Sequence, residues 1–286
     1  MLKITFLGTS GSAPTVSRGM PAIAVKYENQ LMLWDCGEGT QRQMMNYKVG
    51  YGSINSIFIT HPHLDHYLGL YGLVETLKLS SPSPKPVNLF LPTGVSFGEY
   101  GFVKSSKMKS GTLFKTVDFT VGAYPVRHCR SAYGIVFQEK EKIKFHEEKA
   151  HSLGLQGKMF QEIQKKGKVK TANGIVNLED VTWVKPGRKI VYSSDCLPDN
   201  NTIKSAEGAD LLIHDGTFDG SLKDEAKEKM HSTVEDAAEI AKKANVKRLI
   251  LTHISPRYSD VSILLDQARS IFSNVDIARD GLVVDL

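Results

Sequence analysis

Between Thr60 and His66 the sequence reads Thr-His-Pro-His-Leu-Asp-His, which places His61, His63, Asp65 and His66 within six residues. Three imidazoles and a carboxylate crowded onto one short stretch make a poor hydrophobic core and a good ligand set. Nitrogen and oxygen donors of this kind converge on borderline divalent cations such as zinc. A single histidine is more often structural; four donors at this spacing predict a metal site. The stretch directly follows a nearly continuous apolar run at residues 55–60, and a second such run, 246–252, ends directly in His253. Runs of that type suit strands buried on both faces that carry polar ligands at their C-terminal ends.

The elements that must position these groups alternate along the chain. Short β-like runs occur at 2–7, 22–26, 31–34, 56–60, 87–91, 117–121, 133–138, 189–193, 211–215, 248–252 and 281–285. They are rich in Val, Ile, Leu, Phe or Thr, and most are bounded by Gly, Pro, Asn or Asp. Helices interleave at 68–79 and 261–272, and a third follows His231. There Ser232-Thr-Val-Glu235 reads as a capping box, and Val234, Ala237, Ala238 and Ala241 share one helical face. No linker of the Gly/Ser or Pro type divides the chain, so one layered α/β domain over residues 1–286 is expected.

Composition narrows the class. With 286 residues, 41% hydrophobic and 23% charged, the chain can build a core without disulfides or a stapling cofactor. Its start alternates too much for a signal peptide, and no eighteen consecutive residues are apolar, so no membrane span is expected. Cys36, Cys129 and Cys196 form neither a CxxC pair nor an even framework and are expected to be buried thiols of a reducing cytosol. The net charge of +5 acquires meaning only where it clusters, in the polar, lysine-rich excursion at 140–185.

His61, His63, Asp65 and His66 resemble the metal loop of the metallo-β-lactamase superfamily, whose fold is an αββα sandwich. In that superfamily the first two histidines hold one metal and the Asp–His pair holds a second. The resemblance then makes His128, in Pro125-Val-Arg-His128-Cys, the third imidazole of the first metal. Asp195, in Tyr192-Ser-Ser-Asp195-Cys, becomes the bridging carboxylate, and His253, in Leu251-Thr-His253, the last imidazole of the second metal. Within the superfamily the sequence is similar to ribonuclease Z. The similar segments are Phe6-Leu-Gly-Thr9-Ser-Gly-Ser-Ala-Pro14-Thr-Val-Ser-Arg18, Asp35-Cys-Gly-Glu38-Gly-Thr40-Gln-Arg-Gln43, His214-Asp-Gly-Thr217-Phe, His231-Ser-Thr233 and Arg257-Tyr258. They fall in the family's order. The chain departs from the family's usual residues at Leu64 (small), Ser194 (Gly), Cys196 (Thr), Asp215 (Glu) and Gly216 (Ala).

The resemblance implies an endoribonuclease that cleaves the 3′ trailer from precursor tRNA and leaves a tRNA 3′-hydroxyl. It implies two Zn2+, with Mn2+ or a mixed pair compatible with the same donors, and a cytoplasmic homodimer. Asp65 would ligate a metal and accept the proton of the attacking water. His231 would protonate the leaving 3′ oxygen, oriented by Asp215, one methylene shorter than the usual Glu. Residues 145–185 would form an inserted lysine-rich arm that grips tRNA through Lys158, Lys165, Lys166, Lys168 and Lys170. A lysine-rich arm of this kind binds phosphates without reading bases. The alternative is a related phosphodiesterase acting on small or cyclic nucleotides or on another ester. His146 and His151 read as solvent-exposed, and His214 as structural or supporting.

Overall fold

In the strand Leu2–Gly8, Leu2, Ile4 and Phe6 pack on one face and Leu7 on the other, all fully buried. The same two-sided burial recurs in Leu211–Asp215, where Leu211 and Ile213 turn one way and Leu212 the other, and in Leu249–Thr252, where Ile250 opposes Leu249 and Leu251. Strands of this kind need cover on both faces, and two sheets with helices outside them provide it. The computed structural model describes residues 1–286 and contains two compact units, Met1–Gln138 with Lys189–Leu286, and Glu139–Arg188.

The larger unit holds two seven-stranded sheets. The first runs in the order Val283–Asp285, Leu2–Gly8, Ala22–Tyr27, Gln30–Trp34, Ile54–Phe58, Val87–Leu91, Val103–Lys107. The second runs Val275–Ile277, Leu249–Thr252, Leu211–Asp215, Lys189–Tyr192, Tyr133–Glu139, Phe119–Pro125, Gly111–Lys115. Aromatic side chains fill the space between them: Tyr27 meets Phe119 at 5.1 Å and Trp34 stacks on Tyr192 at 6.1 Å between ring centroids. Helices Thr40–Asn46 and Gly69–Ser80 cover the first sheet through Met44, Leu70, Leu73 and Val74. Helices Val234–Lys243 and Ser262–Ile271 cover the second through Ala237, Ala238, Ala241, Leu264 and Ala268. The result is the αββα sandwich of the metallo-β-lactamase fold.

Parallel pairing sets the position of the site. Gln30–Trp34 and Ile54–Phe58 run parallel in one sheet, and Lys189–Tyr192, Leu211–Asp215 and Leu249–Thr252 run parallel in the other. Their C-terminal ends deliver Asp35, Thr60 and His61 from the first sheet, and Asp195, Asp215 and His253 from the second. Open sheets of parallel strands bind ligands at that edge. The metal loop is docked by main chain: Cys36 N–H donates to His66 O at 2.8 Å and Gly69 N–H to Cys36 O at 3.0 Å. Only glycine permits this approach at residue 69, where a Cβ would lie 1.9 Å from Gly37 O.

One local expectation needs correction. The capping box at the start of Val234–Lys243 is formed by Thr233 and Asp236, one residue later than the Ser232–Glu235 reading. The hydroxyl of Ser232 is committed elsewhere, donating to Cys196 O at 2.6 Å, so Thr233 takes the capping role.

The smaller unit pairs Lys142–Phe145 with Thr182–Lys185 and Lys168–Thr171 with Gly174–Asn177, all antiparallel. Helices Glu147–Ser152, Met159–Lys166 and Leu178–Val181 complete it. Ala150, Leu155, Ile163, Val169, Val176 and Val181 form a core of its own. These apolar residues stand singly among lysines and glutamates, which is why the stretch reads from sequence as a mere polar excursion.

Candidate metal centre

Asp195 sits at the middle of the site, almost fully buried, with four imidazoles around its Oδ2. His253 Nε2 lies at 3.1 Å, His66 Nε2 at 3.2 Å, His61 Nε2 at 3.7 Å and His128 Nε2 at 3.9 Å. Asp65 Oδ2 completes one side, 3.5 Å from His253 Nε2 and 3.6 Å from His66 Nε2. His63 completes the other, its Nδ1 3.1 Å from His128 Nε2. The donors fall into two groups that share Asp195: His61, His63 and His128 in one, Asp65, His66 and His253 in the other. All seven residues anticipated from the sequence are therefore brought together, in the two sets the resemblance implied.

Whether these residues fit divalent cations can be tested on their outer atoms. His66 Nδ1 donates to Asp35 Oδ2 at 2.8 Å, and His128 Nδ1 donates to Met230 O at 2.8 Å. His61 Nδ1 meets Thr60 Oγ1 at 3.1 Å. Thr217 Oγ1 donates to Asp215 Oδ1 at 2.6 Å, so it must accept from His253 Nδ1, which is 2.9 Å away. Each of these four rings thus keeps a proton on its outer Nδ1 and aims Nε2 inward, as metal-bound histidines do. The inward Nε2 atoms of His61, His66 and His253, together with Asp195 Oδ1, are buried without any hydrogen-bond partner. Four such orphans in one cluster carry a cost of about 1–3 kcal/mol each unless a ligand satisfies them. The donor set fits divalent cations.

Electrostatics point the same way. Burial alone would raise the Asp195 carboxyl, but His253 and His66 hold it well below the usual carboxylate range. Burial, reinforced by the neighbouring imidazoles, pushes His61 well down and leaves it neutral. Burial also works against a charged His66, yet Asp195 and Asp35 reverse this and raise it well above its ordinary value, so a cation must displace a proton there. Asp65 is held down to about 2, burial being outweighed by His253 and His66, and its Oδ2 accepts Ser12 N–H at 3.1 Å. Gly11, beside Ser12, is pressed against the ring of His253, where a Cβ would lie 2.7 Å from Nδ1.

A second constellation adjoins the first. His231 Nδ1 donates to Asp215 Oδ2 at 2.8 Å, so the short carboxylate does reach it. Asp215 also accepts the backbone N–H of Cys196 at 3.1 Å and of Thr217 at 2.9 Å. Burial works against the imidazolium, but Asp215 raises His231 to about 9. Asp215, His231 and His253 form a third grouping of donors, but the His231–Asp215 bond already occupies it.

Sequence reasoning missed Asp35, which takes His66 Nδ1, Thr60 N–H at 2.8 Å and Tyr192 Oη–H at 3.0 Å. It also missed Thr60 and Thr217 as orienting groups. The available signal was position alone, each lying at or just beyond a strand end. Asp35, Ser194 and His253 all adopt positive φ, at 57°, 56° and 59°. The left-handed region costs a side chain about 1–2 kcal/mol, which bears on Ser194, where the resemblance implies glycine. Here the Ser194 hydroxyl meets Thr60 Oγ1 at 2.7 Å. Cys196 is buried, its thiol pushed well up by burial, and it belongs to neither ligand group. Cys36 is likewise buried, whereas Cys129 is only partly so. His146 and His151 are exposed, and His214 is buried with Nδ1 donating to Asp215 O at 2.9 Å. Lys158, Lys165, Lys166, Lys168 and Lys170 are all exposed on the smaller unit.

Comparison with known proteins places this geometry. A family model described as "Beta-lactamase superfamily domain" matches residues 178–254, and one described as "Anti-Pycsar protein Apyc1" matches residues 2–96. A ribonuclease Z of Archaeoglobus fulgidus is 41% identical over 301 residues, spanning 100% of this chain and 98% of its own. Another, from Picrophilus torridus, is 40% identical over 292 residues, spanning 98% of this chain and 94% of its own. The crystal structure of human tRNase Z, short form, matches with TM-score 0.69 at 29% identity, over 99% of this chain and 98% of that one. The metallo-beta-lactamase fold protein YhfI of Bacillus subtilis matches with TM-score 0.75 at 18% identity, over 99% of this chain and 98% of that one, a likeness of fold alone.

The orienting role of Asp35 predicts a large effect on stability. Asp35→Ala leaves His66, Thr60 and Tyr192 without their shared acceptor, and removing one member of a buried pair costs about 3–5 kcal/mol. Urea unfolding of the metal-free protein measures this; a loss under about 1 kcal/mol, the worth of an ordinary hydrogen bond, would show that Asp35 is not the anchor.

Proposed function

This chain belongs to the ribonuclease Z family, and on that premise we propose that it is a metal-dependent endoribonuclease that removes the 3′ trailer of precursor tRNA. The observation that carries the reading is the pairing of two cation-ready donor groups through Asp195 with a carboxylate-supported His231 beside them. Two divalent cations, with zinc the preferred reading and manganese compatible, would be held by His61, His63, His128 and Asp195, and by Asp65, His66, His253 and Asp195. When bound, such a pair supplies Lewis-acid charge to the attacking water and to the phosphate.

The chain's own residues supply the proton chemistry. Water oxygen attacks phosphorus, the bond from phosphorus to the ribose 3′ oxygen breaks, and that oxygen needs a proton to leave as a hydroxyl. His231, raised by Asp215, is protonated at neutral pH and can donate it. The Asp215 bond fixes Nδ1–H, so the mobile proton is carried on Nε2. Asp65, ionised at neutral pH, accepts a hydrogen bond from the attacking water and orients it. As the water's oxygen bonds to phosphorus, Asp65 takes the proton that the water loses and passes it to solvent.

The smaller unit is read as the part that grips tRNA. Its own core holds Lys168 and Lys170 on one strand and Lys165 and Lys166 on the preceding helix, with Lys158 as that helix's N-cap. The family resemblance extends to a homodimer and to a cytoplasmic location; no helix is long and apolar enough to cross a membrane. Action on small or cyclic nucleotides is the less favoured reading, since the relatives matched over the full chain are ribonucleases Z.

Incubating the protein with 5′-labelled precursor tRNA tests the activity. One cut after the acceptor stem, leaving a 3′-hydroxyl and abolished by chelator, is expected; cleavage of bis-p-nitrophenyl phosphate with no cut in precursor tRNA would move the assignment to small esters. His231→Ala should lower turnover by about 10²–10⁴-fold with metal content intact. Because the Asp215 carboxylate raises His231, activity should fall as pH rises through the His231 value, and Asp215→Asn should move that alkaline limb downward. An unmoved limb would assign the proton to another group. Changing Lys158, Lys165, Lys166, Lys168 and Lys170 together to Gln should raise KM for precursor tRNA and flatten its salt dependence, by about one unit of log–log slope for each lysine that contacts a phosphate. An unchanged slope would mean that these lysines are only a solvated face.

A further inference from the structure

A cavity of about 200 Å³ opens beside His231, lined by Arg127, Leu197, Pro198, Lys223, Lys227, His231 and Asp236. Arg127, Lys223 and Lys227 therefore share one small space with the His231 imidazolium and a single carboxylate. That carboxylate is already committed: Asp236 Oδ2 accepts Thr233 Oγ1–H at 2.9 Å as part of the helix cap, and its Oδ1 lies 3.7 Å from Lys223 Nζ. Nearby cations outside the cavity are neutralised. Arg257 and Lys229 both pair with Glu225, at 2.6 Å and 2.7 Å. Arg127 and Lys227 are exposed, and neither side chain has a carboxylate partner. Two unpaired positive groups are thus held next to the acid, where mutual repulsion gives them reason to take an anion.

We propose that this cavity seats the phosphate of the retained RNA strand immediately 5′ of the nucleotide whose 3′ oxygen leaves, with Lys227 and Arg127 as its ligands. The assignment rests on the ribonuclease reading above and on one geometric consequence of it. An acid that protonates the leaving oxygen must stand on the leaving side of phosphorus. The cavity is lined by that acid, so it is placed to meet the leaving nucleotide, which belongs to the tRNA and not to the trailer. The first group of that nucleotide able to satisfy free cations is its 5′ phosphate. Lys and Arg at such a point fix register without reading the base. The main chain of Arg127 is braced on both sides. Its N–H donates to Asp199 Oδ2 at 3.3 Å, and its carbonyl accepts Leu197 N–H at 2.7 Å.

A precursor tRNA carrying one uncharged methylphosphonate at that linkage tests the assignment. For the wild-type protein, KM should rise about tenfold relative to the all-phosphate precursor. Lys227→Ala and Arg127→Ala should each raise KM several-fold on the normal precursor, reduce its salt slope by about one unit, and show little further loss on the methylphosphonate substrate. Lys243→Ala, an equally exposed lysine outside the cavity, should leave the full methylphosphonate penalty in place. Fully additive losses between Lys227→Ala and the methylphosphonate, or a wild-type KM indifferent to the substitution, would overturn the proposal while leaving the ribonuclease reading intact. A wild-type protein that cuts neither precursor would remove that reading, and this assignment with it.

Discussion

A carboxylate buried among imidazoles organises this molecule. Asp195 is almost out of reach of water, and an isolated charge there would be driven neutral. Four histidines answer its Oδ2 instead, from a loop of the first sheet and from two strand ends of the second. They cannot do so as charged groups all at once, because each lies close to the next: the rings of His61 and His66 are 4.0 Å apart between centroids. The arrangement fits a site in which inward nitrogens and Asp195 meet bound metal. The fold follows from that need, since parallel strands in both sheets must end at the same edge.

The second requirement is that each imidazole face inward with the correct nitrogen. For four of the five ligand imidazoles, all but His63, Asp35, Thr60, Thr217 and the carbonyl of Met230 meet it from outside, one hydrogen bond per ring. Asp215 is the link between the donor cluster and His231. Through Thr217 it anchors His253, and directly it anchors His231. The main chain bends sharply to allow this, with Asp35, Ser194 and His253 all at positive φ. Strain of this kind gathers where surrounding contacts over-determine the backbone.

Much of this was legible in the sequence because the ligands either lie together, as at residues 61–66, or end strongly apolar runs, as His253 does. Asp195 and His128 end less distinctive runs, and family resemblance was needed to find them. Asp35 and Thr217 stand within family segments that assign them no role, since Asp and Thr within a residue or two of Gly read equally well as turn residues. Of the strands that escaped notice, four form the two-stranded sheets of the smaller unit and three are margins of the large sheets. Val103–Lys107 is largely exposed, Gly111–Lys115 is the outer strand of the second sheet, and both carry the lysines that keep edges from pairing. The one-residue slip at the cap before Val234 has the same origin: Ser232 and Thr233 can both cap, and only tertiary contact with Cys196 decides between them.

The central claim, that one carboxylate joins two cation sites, is open to direct measurement. The metal-free chain can be loaded with Mn2+ and followed by electron paramagnetic resonance. Two ions held about 3.5–4 Å apart and bridged in common, as in other two-metal hydrolases, should give an exchange-coupled spectrum at saturation. Asp195→Asn should lose that coupling together with most of the bound metal. A wild-type protein that saturates with the six-line spectrum of isolated Mn2+ would contradict the account.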